Sequence, residues 1–147
     1  MILITLPGQP LGKGRPRFSP RAIYTPKRTR AFENALGYAA RAVMRGKKPL
    51  SGVLAVRVIA RFAIPKGWTK AQKTEALTST VWHGKRPDAD NVLKMLDALN
   101  GIVFDDDCQI ASVTVDKIYS ADPALLIAVE EINGPNPFGA SQSLWRV

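Results

Sequence analysis

The chain has 147 residues, 46% of them hydrophobic, and carries 21 Lys/Arg against 12 Asp/Glu for a formal net charge of +9 at pH 7. That length suits one domain with a single core. The apolar opening Met1 to Leu6 stops at Pro7-Gly8, too short for a signal-peptide core, no run of about 18 apolar residues offers a membrane span, and the lone Cys108 excludes an internal disulfide.

In chain order, residues 1 to 6 read as a short strand. Gln9 to Phe18 holds too many glycines and prolines for a helix and is expected to be a loop, with Lys13, Arg15 and Arg17 available to a phosphate chain. Thr25-Pro26 opens a helix expected to reach about Arg45 and stop at Gly46, with Phe32, Leu36, Ala39 and Val43 on its apolar side and Lys27, Arg30, Asn34, Arg41 and Arg45 opposite. From Val53 to Ile64 the pattern changes to alternation, Leu54, Val56, Val58, Ala60, Phe62 and Ile64 pointing one way, which predicts a strand ended by Pro65.

Thr69-Lys70-Ala71-Gln72 fits a capping box and predicts a helix to about Leu77. In the loop from Thr78 to Lys85, Trp82 is expected to pack in the fold rather than stack on bases, and His83, the only histidine, has no catalytic role. A further helix is expected from Asp88 to Asn100-Gly101. Ala111–Tyr119 and Ala124–Ile132 read as two strands joined as a hairpin around Ser120 to Pro123, the second apolar enough to be central. The prediction is an α/β (α+β) single domain over residues 1–133, in the order β-α-β-α-α-β-β, with a mixed sheet and packed helices. A Gly-, Pro-, Ser- and Asn-rich tail covers residues 134–147.

Charge is divided along the chain. Residues 1 to 86 hold 18 Lys/Arg against two acids (Glu33, Glu75), while residues 87 to 147 hold three against ten. The first part has the composition of a polyanion binder, nucleic acid above all. The acids are gathered in their turn, because six of the twelve (Asp88, Asp90, Asp97, Asp105, Asp106, Asp107) fall between positions 88 and 107.

At about 100° per residue, Val92, Met95, Leu96 and Leu99 share one side of the 88–101 helix, and Asp90, Lys94 and Asp97 the other. Ile102 to Phe104 is short enough to bring Asp105 to Asp107 back towards that polar stripe. Carboxylates without histidine or cysteine pairs suit a hard cation such as magnesium or manganese. Lys94 is placed to neutralise charge on a transferring phosphate or to orient water. The same residues also fit a helix cap at Asp88, a surface ion pair between Asp90 and Lys94, and a solvated turn at Asp105 to Asp107.

Pro87-Asp88-Ala89-Asp90-Asn91-Val92-Leu93-Lys94, then Asp97 to Gly101, then Asp106-Asp107-Cys108-Gln109-Ile110 resembles the signature of the RusA-type Holliday-junction resolvases, endodeoxyribonucleases often carried by prophages. The resemblance runs from Pro87 to Ile110. It implies metal ligation and catalysis by Asp88, Asp90 and Asp107, with Lys94 catalytic, Asp106 able to share the role of Asp107, and Asp97 in support. It also implies Mg2+, with Mn2+ as a possible substitute, four-way DNA as the partner, and a homodimer making paired cuts. The family tends to carry a basic segment near its N-terminus, which marks Lys13, Arg15 and Arg17 as DNA contacts. Cytoplasmic localisation without membrane association is expected. Two other readings fit the residues, a non-catalytic DNA-binding module and a metal-dependent phosphoryl-transfer enzyme acting on nucleotides, although no Walker-type glycine loop supports the second.

Overall fold

The computed structural model describes residues 1–135, and the expected tail lies outside them from residue 136 onward. The chain forms β1 (Ile2–Pro7), β2 (Arg17–Ser19), β3 (Ala22–Tyr24), α1 (Lys27–Met44), β4 (Leu54–Ala63), α2 (Lys70–Thr78), α3 (Ala89–Leu93), β5 (Ile110–Ser120) and β6 (Ala124–Glu131). Short 3-10 turns cover Lys94–Leu99 and Asp107–Gln109. It is the expected α+β architecture, with a small β2–β3 ribbon that starts at the end of the Gln9 to Phe18 loop and continues through residues with no expected element.

β4 is the spine. Leu54, Val56, Val58, Ala60 and Phe62 are buried while Arg57 is exposed, so alternate side chains feed one core. The four-stranded sheet runs β1-β6-β4-β5, with β5 parallel to β4 and the other pairs antiparallel. Ile127 of β6 sits between Ile4 of β1 and Val58 of β4, and all three are buried, which makes β6 central as its apolar run implied.

The expected β5–β6 hairpin does not form. β4 lies between the two strands, and Ala121 to Pro123 carry the chain over its end. Local turn chemistry, including the Ser120 hydroxyl accepting from the Asp122 N–H at 3.2 Å, is the same for a hairpin and for a crossing over one strand. The difference is decided by β4, which buries more apolar surface with a neighbour on each side.

Helices close one face of this sheet. α1 buries Leu36, Gly37, Ala40 and Met44 together with Thr29, so its inner stripe is rotated from the expected one and Val43 is exposed. It ends where Arg45 and Gly46 adopt positive φ, 50° and 77°. The Thr69 capping box forms as read: Thr69 Oγ1 accepts from the Gln72 N–H at 3.2 Å, and Gln72 Oε1 from the Thr69 N–H at 2.9 Å. Val92, Met95, Leu96 and Leu99 are all buried, but the 88–101 segment is α-helical only to Leu93 and then tightens to 3-10 geometry. In that geometry residues three apart eclipse, which stacks Asp97 over Lys94.

Candidate functional site

Pro87 and Asp88 begin the segment that carries the acids. The Arg86-Pro87 peptide is cis, and Asp88 takes the N-cap position with extended backbone angles, yet its side chain makes no capping hydrogen bond. The Asp88 carboxylate is therefore available for other work. It lines a cleft of about 700 Å³ with Lys13, Arg15, Arg86 and Asn91.

The basic loop forms the opposite wall of that cleft and is docked rather than loose. The Lys13 N–H donates to the Asn91 carbonyl at 2.9 Å, and the Gly14 N–H approaches Oγ1 of buried Thr29 at 3.4 Å. The Lys13 ammonium sits between two carboxylates, 2.8 Å from Asp97 and 3.1 Å from Glu33. The Asp97 hydrogen bond raises the Lys13 pKa above its ordinary 10.5, against the opposing effect of partial burial and with help from Glu33. Lys13 thus holds the loop to the acidic helix, while Arg15 and the exposed Arg17 form no ion pair among the described residues.

Along the polar stripe, Lys94 Nζ lies 3.3 Å from both Asp90 Oδ2 and Asn91 Oδ1, with all the side chains solvent-accessible. Lys94 also lines a shallow groove of about 240 Å³ with Asp97 and Asp107, floored by Leu93, Leu96, Ile110 and Val113. The three consecutive aspartates have separate roles. Asp106 caps the following turn, accepting from the Cys108 N–H at 3.2 Å, which holds its pKa down. The adjoining Asp106 carboxylate, with slight desolvation and the charge of Asp97, raises the Asp107 pKa. Asp105 is exposed. Among the described residues no group of three His, Cys, Asp or Glu side chains is close enough to share one ion. The carboxylates come together in pairs: Asp97 with Asp107, and Asp106 with Asp107.

Gln109 is a positioning residue that the spacing argument missed. Its amide nitrogen donates to the carbonyls of Leu50 and Gly52, each at 2.9 Å, and its oxygen accepts from the Asp106 N–H at 2.9 Å. The acidic turn is thereby pinned to the segment leading into β4. The Asp-x-x-Gln spacing of a capping box was the available signal.

One expectation for the preceding loop turns out differently. Trp82 is 67% exposed, with only its backbone engaged, bridging to Ile118, so it does not pack in the core. His83 is buried instead, stacked on Phe62 at 3.9 Å between ring centroids and tilted against Tyr119 at 4.9 Å. Burial, then the nearby Lys117 charge, lowers its pKa below 6.5. A depressed histidine contributes stability above the unfolded value that is lost as pH falls through the folded one. Urea titrations at pH 7.5 and pH 5 should therefore show a stability loss on acidification that is smaller in His83→Phe, which keeps the stack without the proton.

A mixed sheet that presents a carboxylate-bearing helix beside a docked cationic loop has the electrostatic layout of proteins that handle phosphodiesters. The chain belongs to the RusA endodeoxyribonuclease family, whose model it matches over residues 7–130. It is also similar to a Bacillus subtilis (strain 168) protein described as the uncharacterized protein YqaN, 28% identical over 139 residues that cover 90% of this chain and 97% of that one. Among the described residues no helix is long and apolar enough to cross a membrane.

Proposed function

We propose that this protein is a Mg2+-dependent, structure-selective endodeoxyribonuclease that resolves Holliday junctions by paired phosphodiester hydrolysis in DNA recombination and repair. It acts as a cytoplasmic homodimer, since a four-way junction has two-fold symmetry and needs two incisions. The observation that carries this reading is the docking of the basic loop on the acidic helix, which sets Asp88 in one cleft with Arg15 and Arg86. A phosphate chain held by the arginines lies beside carboxylates.

The donor chemistry suits a hard cation. Asp88 is free of its capping bond, and the raised pKa of Asp107 marks crowding of negative charge that a cation relieves. Asp88, Asp90 and Asp107 would hold Mg2+, for which Mn2+ can substitute, only once DNA and the ion draw together carboxylates that do not converge as a group of three among the described residues. When bound, the ion would supply Lewis-acid stabilisation of the phosphate oxygens and make a bound water easier to deprotonate. Lys94 brings a positive charge next to Asp90, where it neutralises charge growing on the phosphate oxygens. Asp97 acts from behind, holding Lys13 and the loop, and Asp106 and Gln109 aim Asp107.

The test is a labelled synthetic four-way junction incubated with and without Mg2+. Paired symmetric nicks that need the ion are expected, with Mn2+ able to replace it. Binding without cleavage under any divalent ion would make the chain a DNA-binding module instead.

A further inference from the structure

The β2–β3 ribbon is the most exposed apolar feature of the described residues that the proposed chemistry does not use. Phe18 pairs with Ile23 across the ribbon, and the two are 79% and 67% exposed; Arg17 pairs with Tyr24, itself 44% exposed. Cross-strand partners share a face and neighbouring pairs alternate, so one face is apolar and the other combines a cation with an aromatic ring. The tip is tied by Ser19, whose hydroxyl donates to the Ala22 carbonyl at 3.0 Å and accepts its N–H at 3.1 Å. Both ends of the ribbon are anchored, through Lys13 on Asn91 before it and α1 after it, and Arg15 at its base lines the cleft that holds Asp88.

The ribbon's surroundings identify what covers it. Arg15, Arg17, Arg21, Lys27 and Arg28 flank the apolar pair, and residues 1 to 32 contain no Asp or Glu. A partner matching this pattern is strongly anionic outside and apolar within. Stacked bases between two phosphate chains have that form, and they admit apolar side chains where a step can be unstacked. A junction crossover, where the continuous duplex stack is interrupted and a step opens more easily, is the least costly place to insert them.

We infer that the β2–β3 ribbon is a wedge, with Phe18 and Ile23 entering the opened base step at the junction centre while Arg15, Arg17 and Arg21 grip the flanking phosphates. This rests on the junction-cleaving reading above and adds the device that selects branched DNA over plain duplex.

The experiment uses the full chain, a junction carrying 2-aminopurine at the crossover, and EDTA to keep the strands whole. Wild-type protein should raise the fluorescence about threefold by unstacking the base, and Phe18→Ala/Ile23→Ala should remove that rise. In Mg2+ the double variant should cleave junctions about tenfold more slowly, the order of one lost stacking contact. Its duplex affinity and salt slope should stay within about twofold of wild type, because the cations set them. Phe18→Trp should keep the fluorescence rise. Both replaced side chains lie outside the core, so circular dichroism should be unchanged. A full rise from the double variant overturns the wedge, as does wild-type cleavage with no rise. Loss of binding to phosphatidylglycerol vesicles in the variant, with junction cleavage intact, assigns the ribbon to a membrane surface and also overturns it. If the wild type cleaves no junction at all, the underlying reading fails rather than the wedge.

Discussion

Asp90→Asn should lower Mg2+-dependent junction cleavage by about 10²- to 10³-fold, the usual cost of losing one charged participant in a phosphoryl-transfer site. Binding should be unharmed. The amide keeps the shape of the side chain and its oxygen still accepts from Lys94, now at 3.3 Å. Removing a negative charge near DNA cannot weaken electrostatic attraction, so anisotropy titrations in EDTA should show wild-type or slightly tighter affinity. Asp107→Asn should behave the same way in cleavage assays. Asp105→Asn should change the rate by less than about threefold, because this exposed side chain has no partner that links it to the site. An Asp90→Asn protein that cuts junctions at the wild-type rate would remove Asp90 from the site.

These effects differ because three adjacent aspartates have three environments, and that much is not legible in the letters DDD. Asp106 accepts from the backbone of its own turn, which lowers its pKa, whereas the adjoining Asp106 carboxylate first, and Asp97 after it, raise that of Asp107. The turn that carries both is pinned by Gln109, whose bonds to Leu50 and Gly52 reach 59 and 57 residues back along the chain. Spacing shows which residues share a face of one element. It says little about which residue of a turn a distant segment will orient.

The same distinction explains what was legible in the fold. The alternation of β4, the Thr69 capping box and the buried side of residues 92–99 depend on neighbours in sequence, and the structure has them as read. Strand order depends on competition among distant strands, and there the expected β5–β6 hairpin gives way to insertion of β4. The α1 stripe was misjudged for a related reason. Val43 is more apolar than Gly37, yet Gly37 is buried because it lies on the side of the helix that faces Ala98 and Ile102. The exchange between Trp82 and His83 is similar: the stack on Phe62 suits the smaller ring and leaves the indole outside.

Gly12→Ala should disable the enzyme without removing any charged or catalytic group. A Cβ at position 12 would stand 2.5 Å from Pro87 Cβ and 3.2 Å from Asn91 Cβ. The first distance is far inside contact, and the atom it meets belongs to a proline ring that cannot rotate aside. One element must move. The loop is the weaker partner, because α3 and the turn after it are anchored by buried Val92, Met95, Leu96 and Leu99. Overpacking of this kind costs about 1–3 kcal/mol, as much as the Lys13 to Asn91 hydrogen bond and the exposed Lys13 ion pairs supply together. The loop should therefore leave its dock in most molecules, carrying Arg15 away from Asp88. Junction cleavage should fall about 10- to 100-fold through lost positioning, while the thermal midpoint, set by the untouched core, drops by no more than about 5 °C. Limited trypsin digestion gives an independent reading, since cutting after Lys13 or Arg17 should be faster in the variant. Cleavage at the wild-type rate by Gly12→Ala would mean that the docked loop takes no part in catalysis, and the proposed arrangement of phosphate chain and carboxylates would lose its support.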